Sequence, residues 1–196
     1  MAIFILGLVI FFGAHVFSAV RSREPGKDLK KMMGYGPFMG TYTFVSIIGF
    51  FLICVGYGET RGMGLVYAPP IWGKHVNFAL MPPAFILIVA SQLPVGRIKK
   101  WAKHPMLVAV KLWAFGHFFA TGQLNAFLLF TAFLTFAVFD RIMVKRRGDT
   151  GPAPDAPTKL WPDVVSVIGG IVLYVAFVGY LHRALIGIPV IMPGQG

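Results

Sequence analysis

Residues 2–20 read AIFILGLVIFFGAHVFSAV, an apolar run that meets its first charge only at Arg21. A bilayer core of about 30 Å takes about 20 such residues as a helix, which satisfies every backbone N–H and C=O within the segment. Working outward, five further runs are of comparable length: residues 38–57, 72–93, 105–121, 124–142 and 164–181. The third is interrupted by Lys74-His75 near its start and by Pro82-Pro83 inside. Only Gly122-Gln123 separates the fourth from the fifth, which predicts a tight antiparallel hairpin. The stretch 148–157 carries three prolines, at positions 152, 154 and 157, and reads as an exposed loop. The expected fold is all-α: a polytopic membrane bundle of six transmembrane helices forming a single domain over residues 1–196.

Composition excludes the main alternatives. Of 196 residues, 57% are hydrophobic and 13% charged, with a mean hydropathy of +0.73. Soluble domains carry about 25% charged residues, so a soluble globular enzyme is ruled out. One cysteine, Cys54, excludes an internal disulfide, a cysteine-rich zinc site and covalent CxxCH haem attachment. The net charge of +11 raises the question of a nucleic-acid partner. Yet most of the 18 Lys and Arg sit in the loops after runs one, three and five, from Arg21 to Lys31, Arg97 to Lys103 and Arg141 to Lys159. Arg61, Lys74 and Arg183 alone mark the other side, and Lys111 lies within a run. The positive-inside rule makes the three basic loops cytoplasmic and both termini outside, in the periplasm for an inner-membrane protein. Charges spread over three short loops form no single basic face, so the expected partner is the lipid bilayer and not nucleic acid. Trp101 and Trp161 suit an inner aromatic belt, and Tyr57, Tyr67, Trp72 and Tyr180 an outer one. A signal peptide would place its basic residues before the apolar run, and here they follow it, so the first run reads as a span.

Ionisable residues inside a span cost about 2.5–3.5 kcal/mol on insertion scales, which makes each one informative. His75, His104 and His182 fall near span ends, where an imidazole hydrogen-bonds at headgroup level. His15 and His117 lie well inside apolar sequence. Helical spacing groups His15 with Gly7, Phe11, Ala14 and Ser18, and His117 with Val110, Trp113, Ala114 and Thr121. Each stripe offers an imidazole, an aromatic ring and small neighbours, a surface suited to a flat aromatic ligand such as haem. The plainer alternative is a pair of interhelical hydrogen bonds, worth about 0.6 kcal/mol each. Trp113 is unusual in lying mid-span and not in a belt. His15 lies about 20 Å in from the outer start of its span and His117 about 18 Å in from the inner start of its own. Those depths differ by about 8 Å, so joint ligation needs a tilt or a helix start shifted towards Leu107. Lys111 has three outlets: the cytoplasmic interface, Asp140 at the inner end of the fifth span, or a haem propionate.

The chain resembles the NnrU family of bacterial membrane proteins. The matching pieces are GLVIFFGAHVFSAVR (7–21), GTYTFVSIIGFFLICVGYGETR (40–61), PPIWGKHVNFALMPPAFILIVAS (69–91), the whole of 97–142, and HRALIGIPV (182–190). The most specific segment is HPMLVAVKLWAFGHFFATG (104–122), which combines His104-Pro105, Lys111, Trp113 and His117. That family is related to plant and cyanobacterial zeta-carotene isomerase, a membrane enzyme with a b-type haem held by histidines. The resemblance implies haem b with His15 and His117 as metal ligands and Trp113 and Lys111 beside the cofactor. The isomerase has a cysteine three residues before its second ligand, and this chain has Ala114, which removes thiolate ligand exchange there. The family takes its name from nitrite and nitric oxide respiration, which implies a denitrification accessory or redox factor. Two other functions follow from the same residues: a haem-dependent cis-trans isomerase of a polyene, or a non-catalytic subunit among membrane respiratory or photosynthetic proteins.

Overall fold

The structure, a computed structural model, describes residues 1–191. Long apolar sequence forms helices throughout, in the order α1 (Ala2–Val20), α2 (Leu29–Met33), α3 (Tyr35–Glu59), α4 (Gly73–Gln92), α5 (Arg97–Ala102), α6 (Pro105–Ala120), α7 (Leu124–Arg146) and α8 (Trp161–Ala176). α8 continues through a π-helical turn, Phe177–Leu181, into α9 (His182–Ile186). Five segments are long and apolar enough to cross a membrane: α1, α3, α4, α7 and the continuous Trp161–Ile186. The sixth apolar helix, α6, has 16 residues and spans about 24 Å, somewhat short of a full crossing. Side chains such as Val9, Phe44, Phe51, Ile168 and Val172 stand exposed on these helices, an apolar surface suited to lipid.

Helix boundaries follow local chemistry. Pro105 opens α6 at the position where its missing N–H costs nothing. Gly34, at φ +84, lets the chain turn sharply from α2 into α3. Several helices run beyond the apolar stretches that announce them. α3 begins at Tyr35 and α7 continues to Arg146, because helical bonding persists into the polar interface where hydropathy no longer marks it. Pro82-Pro83 do not break α4, which is continuous from Gly73 to Gln92. The freed carbonyls there are tolerated as in other membrane helices.

The contacts group the described chain into two compact units. Unit 1 comprises Met1–Ala68 and Gly122–Gly148; unit 2 comprises Pro69–Thr121 and the described residues from Asp149 onward. In unit 1, α1 lies along α3 and also meets α7. A Cβ added to Gly7 would sit 2.6 Å from the Ile53 amide nitrogen, and one on Gly49 would sit 2.6 Å from that of Phe11. One on Gly56 would run into the Phe4 backbone. The two backbones therefore touch, the small-residue packing that replaces hydrophobic driving force inside lipid. Phe4, Leu8 and Ile53 form a buried cluster, joined by Leu128, Leu129 and Ala132 of α7. Asn125, 1% exposed, donates from Nδ2 to the Tyr57 carbonyl at 3.1 Å and accepts from the Ala126 amide at 2.8 Å. The 64–66 loop pairs with the residues before α7: Val66 N–H donates to Gly122 C=O at 2.8 Å and Leu124 N–H to Gly64 C=O at 3.0 Å.

In unit 2, α4 packs against both α6 and α8. Gly170 brings α8 onto the Ile86 backbone. Asp163, in the first turn of α8, accepts from the amides of Arg97 (2.8 Å) and Ile98 (2.9 Å) and so caps α5 from across the unit. Lys99 donates to the carbonyls of Ser91 (3.0 Å) and Leu93 (2.7 Å), and Lys100 to that of Ala156 (3.0 Å). Lys99 thus satisfies carbonyls at the end of α4 and Lys100 a loop carbonyl, as well as setting charge, a use the sequence pattern does not reveal. The 148–157 stretch is irregular and mostly exposed, as its prolines lead one to expect.

Candidate functional site

His15 points from the middle of α1, half-buried. Its Nδ1–H donates to the Phe11 carbonyl, one turn back, at 2.7 Å. A carbonyl only accepts, so this bond places the proton of the neutral imidazole on Nδ1 and the lone pair on Nε2. The ring packs on Phe11 (4.2 Å between centroids), Tyr42 (5.3 Å) and Phe136 (5.6 Å). Beside it lies a groove of about 270 Å³ between α1 and α3, lined by Phe11, His15, Tyr42, Thr43, Ser46 and Phe50.

His117 repeats the arrangement on α6. Its Nδ1–H donates to the Trp113 carbonyl at 2.7 Å, again one turn back, and the Trp113 ring lies 5.4 Å away. Ala114 and Gly116 are buried on the same helix, and Asn77 Oδ1 of α4 faces Gly116. The two histidines thus reach one protonation pattern in two separate units. α6 begins at Pro105, so a helix start near Leu107, one way to bring His15 and His117 to matching depth, is not what the chain adopts.

Lys111 is half-buried on α6. Asp140, one of its expected partners, has its carboxylate 3.8 Å from the Arg147 guanidinium. His75 is exposed at the start of α4, in keeping with an interfacial role. His104 lies 3.9 Å from Asp149. His182 is more than an interfacial group. Its Nδ1–H donates to the Ile188 carbonyl at 2.7 Å, because Gly187, in the left-handed region at φ +76, folds the chain back. It follows directly on the π-helical turn and lies within electrostatic reach of His117. π-turns often occur at functional positions, but nothing in the residues FVGYL announces one.

The residues fit haem. No group of three or more His, Cys, Asp or Glu that could hold a metal ion occurs among the described residues. Haem, which brings its own four nitrogens, asks the protein for only one or two imidazoles with the lone pair on the outward nitrogen, amid aromatic and apolar neighbours. His15 and His117 both meet that requirement, and His182 shares the same Nδ1 bonding.

Long lipid-exposed helices with a few buried polar groups define a multi-pass integral membrane protein. The chain belongs to the NnrU family: the family model described as NnrU protein matches residues 3–190. No curated protein and no solved structure matches the chain.

Proposed function

We propose that this NnrU family member is a b-type haem protein of the inner (cytoplasmic) membrane, with both termini outside and a role in nitrite and nitric oxide metabolism as an accessory or redox factor. The observation that carries the reading is the shared bonding of His15 and His117, each oriented through Nδ1 by the carbonyl four residues earlier. A hydrogen bond of this kind fixes ring orientation and directs the Nε2 lone pair outward. Each imidazole has a flat aromatic wall within its own unit, Phe11 for His15 and Trp113 for His117, and Lys111 would supply a cation for a propionate. Haem held by such an imidazole would supply a redox-active iron for nitrogen-oxide chemistry. The nitrogen-oxide setting is supported by the family resemblance, and the orientation by the three basic loops.

An absorption spectrum tests the reading. Protein expressed with sufficient haem is expected to show a Soret band that His15→Ala and His117→Ala each abolish or shift. No bound chromophore overturns the haem assignment and leaves a non-catalytic subunit. A second ligand set has its own support: His182 shares a unit with His117 and follows the π-turn. In that case His182→Ala alters the spectrum as His117→Ala does, while His15→Ala leaves it intact. Product analysis with a cis-polyene separates a redox protein from an isomerase.

A further inference from the structure

The end of α1 gathers cations that the haem reading does not use. α1 has 19 residues, about 28 Å of helix, so Arg21 sits where the apolar run reaches headgroup level. The Arg21 side chain is only 10% exposed. It pairs with Asp28 and lies over the Phe38 ring, 5.3 Å from its centroid, yet its buried Nε–H has no partner among the described residues. Arg147 reaches the same helix end, donating to the Ala19 carbonyl at 2.7 Å and lying 3.8 Å from Asp140. Its buried Nε–H is also without a partner. Arg141, next to Asp140 in the chain, has a third such N–H. At this helix end Arg21 and Arg147 each pair with a carboxylate and still keep a buried N–H without an acceptor, and a buried donor left unsatisfied costs about 1–3 kcal/mol.

Next to these cations is an apolar groove of about 220 Å³, lined by Ala14, Phe17, Leu29, Met33, Phe38 and Val45. Thr41 and Tyr42 complete the lining. Phe38 connects the two features, with its ring both under the Arg21 guanidinium and in the groove wall. An apolar slot that ends in unsatisfied guanidinium donors at headgroup depth matches one kind of molecule, an amphiphile with an acyl chain and an anionic head.

We propose that unit 1 carries a binding site for an anionic phospholipid, its acyl chain in the groove between α1, α2 and α3 and its phosphate at the Arg21–Arg147 end. The phosphate supplies acceptors that Asp28 and Asp140 do not, and Arg forks suit it bidentately. The site stands on unit 1 alone and is independent of haem.

Full-length protein in nanodiscs, with bound lipid counted by native mass spectrometry, provides the test. Phosphatidylglycerol is expected to be retained at least fivefold over phosphatidylcholine. Arg21→Gln removes that preference, and Arg21→Lys restores only part of it. Val45→Phe, which fills the groove without touching a charge, is expected to lower retention of phosphatidylglycerol to a similar degree. Equal retention of the two lipids, or a preference unchanged in both Arg21→Gln and Val45→Phe, overturns the proposal. So does displacement of the lipid by millimolar inorganic phosphate, which would mark a free-anion site. Should Arg21→Gln fail to fold, Arg147→Gln and Val45→Phe decide the matter by the same readout.

Discussion

The two units each carry a histidine set by the same bond, but they hold their helices together differently. In unit 1 the contact lies at membrane depth, where α1 and α3 touch backbone to backbone through Gly7, Gly49 and Gly56. In unit 2 a large share of the fastening sits at the helix ends. Asp163 caps α5, Lys99 caps α4, and Lys100 holds the loop at Ala156. Inside lipid, apolar contact brings little net gain over contact with acyl chains, so steric closeness and polar straps are the two means left. Unit 2 also uses the first, through Gly170 against the Ile86 backbone, and adds a carboxylate that caps two amides, so the two units respond to different substitutions.

The largest contrast comes from adding volume. Gly56→Leu is expected to abolish a monodisperse folded species in fluorescence-detected size exclusion, since even modest overpacking costs about 1–3 kcal/mol and here the obstacle is backbone. Gly58→Leu, two residues on with no atom within 4 Å, is expected to change stability by no more than about 0.5 kcal/mol. If both behave alike, the backbone contact is not what joins α1 to α3. Next in size is Asn125→Ala. It leaves the Ala126 amide without its acceptor and the Tyr57 carbonyl with only the Thr60 hydroxyl as a side-chain donor, at a cost of about 1–3 kcal/mol in thermal unfolding.

Unit 2 offers the reverse test. Asp163→Ala withdraws the acceptor for two amides and is expected to cost about 1–2 kcal/mol, with Asp163→Asn recovering part of it. An unchanged melting temperature for Asp163→Ala would show that the strap contributes nothing. The smallest effect concerns acid. Burial pushes the Asp28 carboxyl up, but the hydrogen bonds from Arg21 and the Lys30 amide, with the charges of Arg21 and Lys31, hold it below its usual 3.8. A depressed carboxylate stabilises the folded chain above the unfolded value and loses that contribution as pH falls through the folded one. The melting temperature of wild type is therefore expected to gain on Asp28→Asn above about pH 4 and to converge with it below. Parallel curves down to pH 3 would separate Asp28 from acid stability.

Much of this was legible in the residues. Hydropathy located all six apolar helices within a few positions, because a membrane demands length and apolarity and little else. His15, His117 and Trp113 stood out as costly or misplaced groups in apolar text, and the structure adds the backbone bond each imidazole makes. Asn125, Asp163 and the capping lysines were not legible, because their roles depend on partners far along the chain. His182 was passed over as an ordinary span-end histidine. Its position depends on a π-turn and on Gly187, and the residues FVGYL look like any other helical turn. The prolines of α4 did not mislead: the run 72–93 reads as one span through Pro82-Pro83, and α4 is continuous from Gly73 to Gln92.

The units are interleaved along the chain, and this bears on how the protein is made. Unit 1 begins with the first two long helices, yields to the first half of unit 2 at Pro69, and resumes only at Gly122. A ribosome thus delivers α1 and α3 as an early pair, then α4 and α6 while both units are incomplete. α7 completes unit 1 before α8 exists. A chain stopped after Gly148 holds every segment of unit 1, whereas no stop codon yields unit 2 alone. Nascent-chain defects therefore fall unequally on the two histidines: His15 can be seated in a finished unit while His117 still waits for the helix that carries His182.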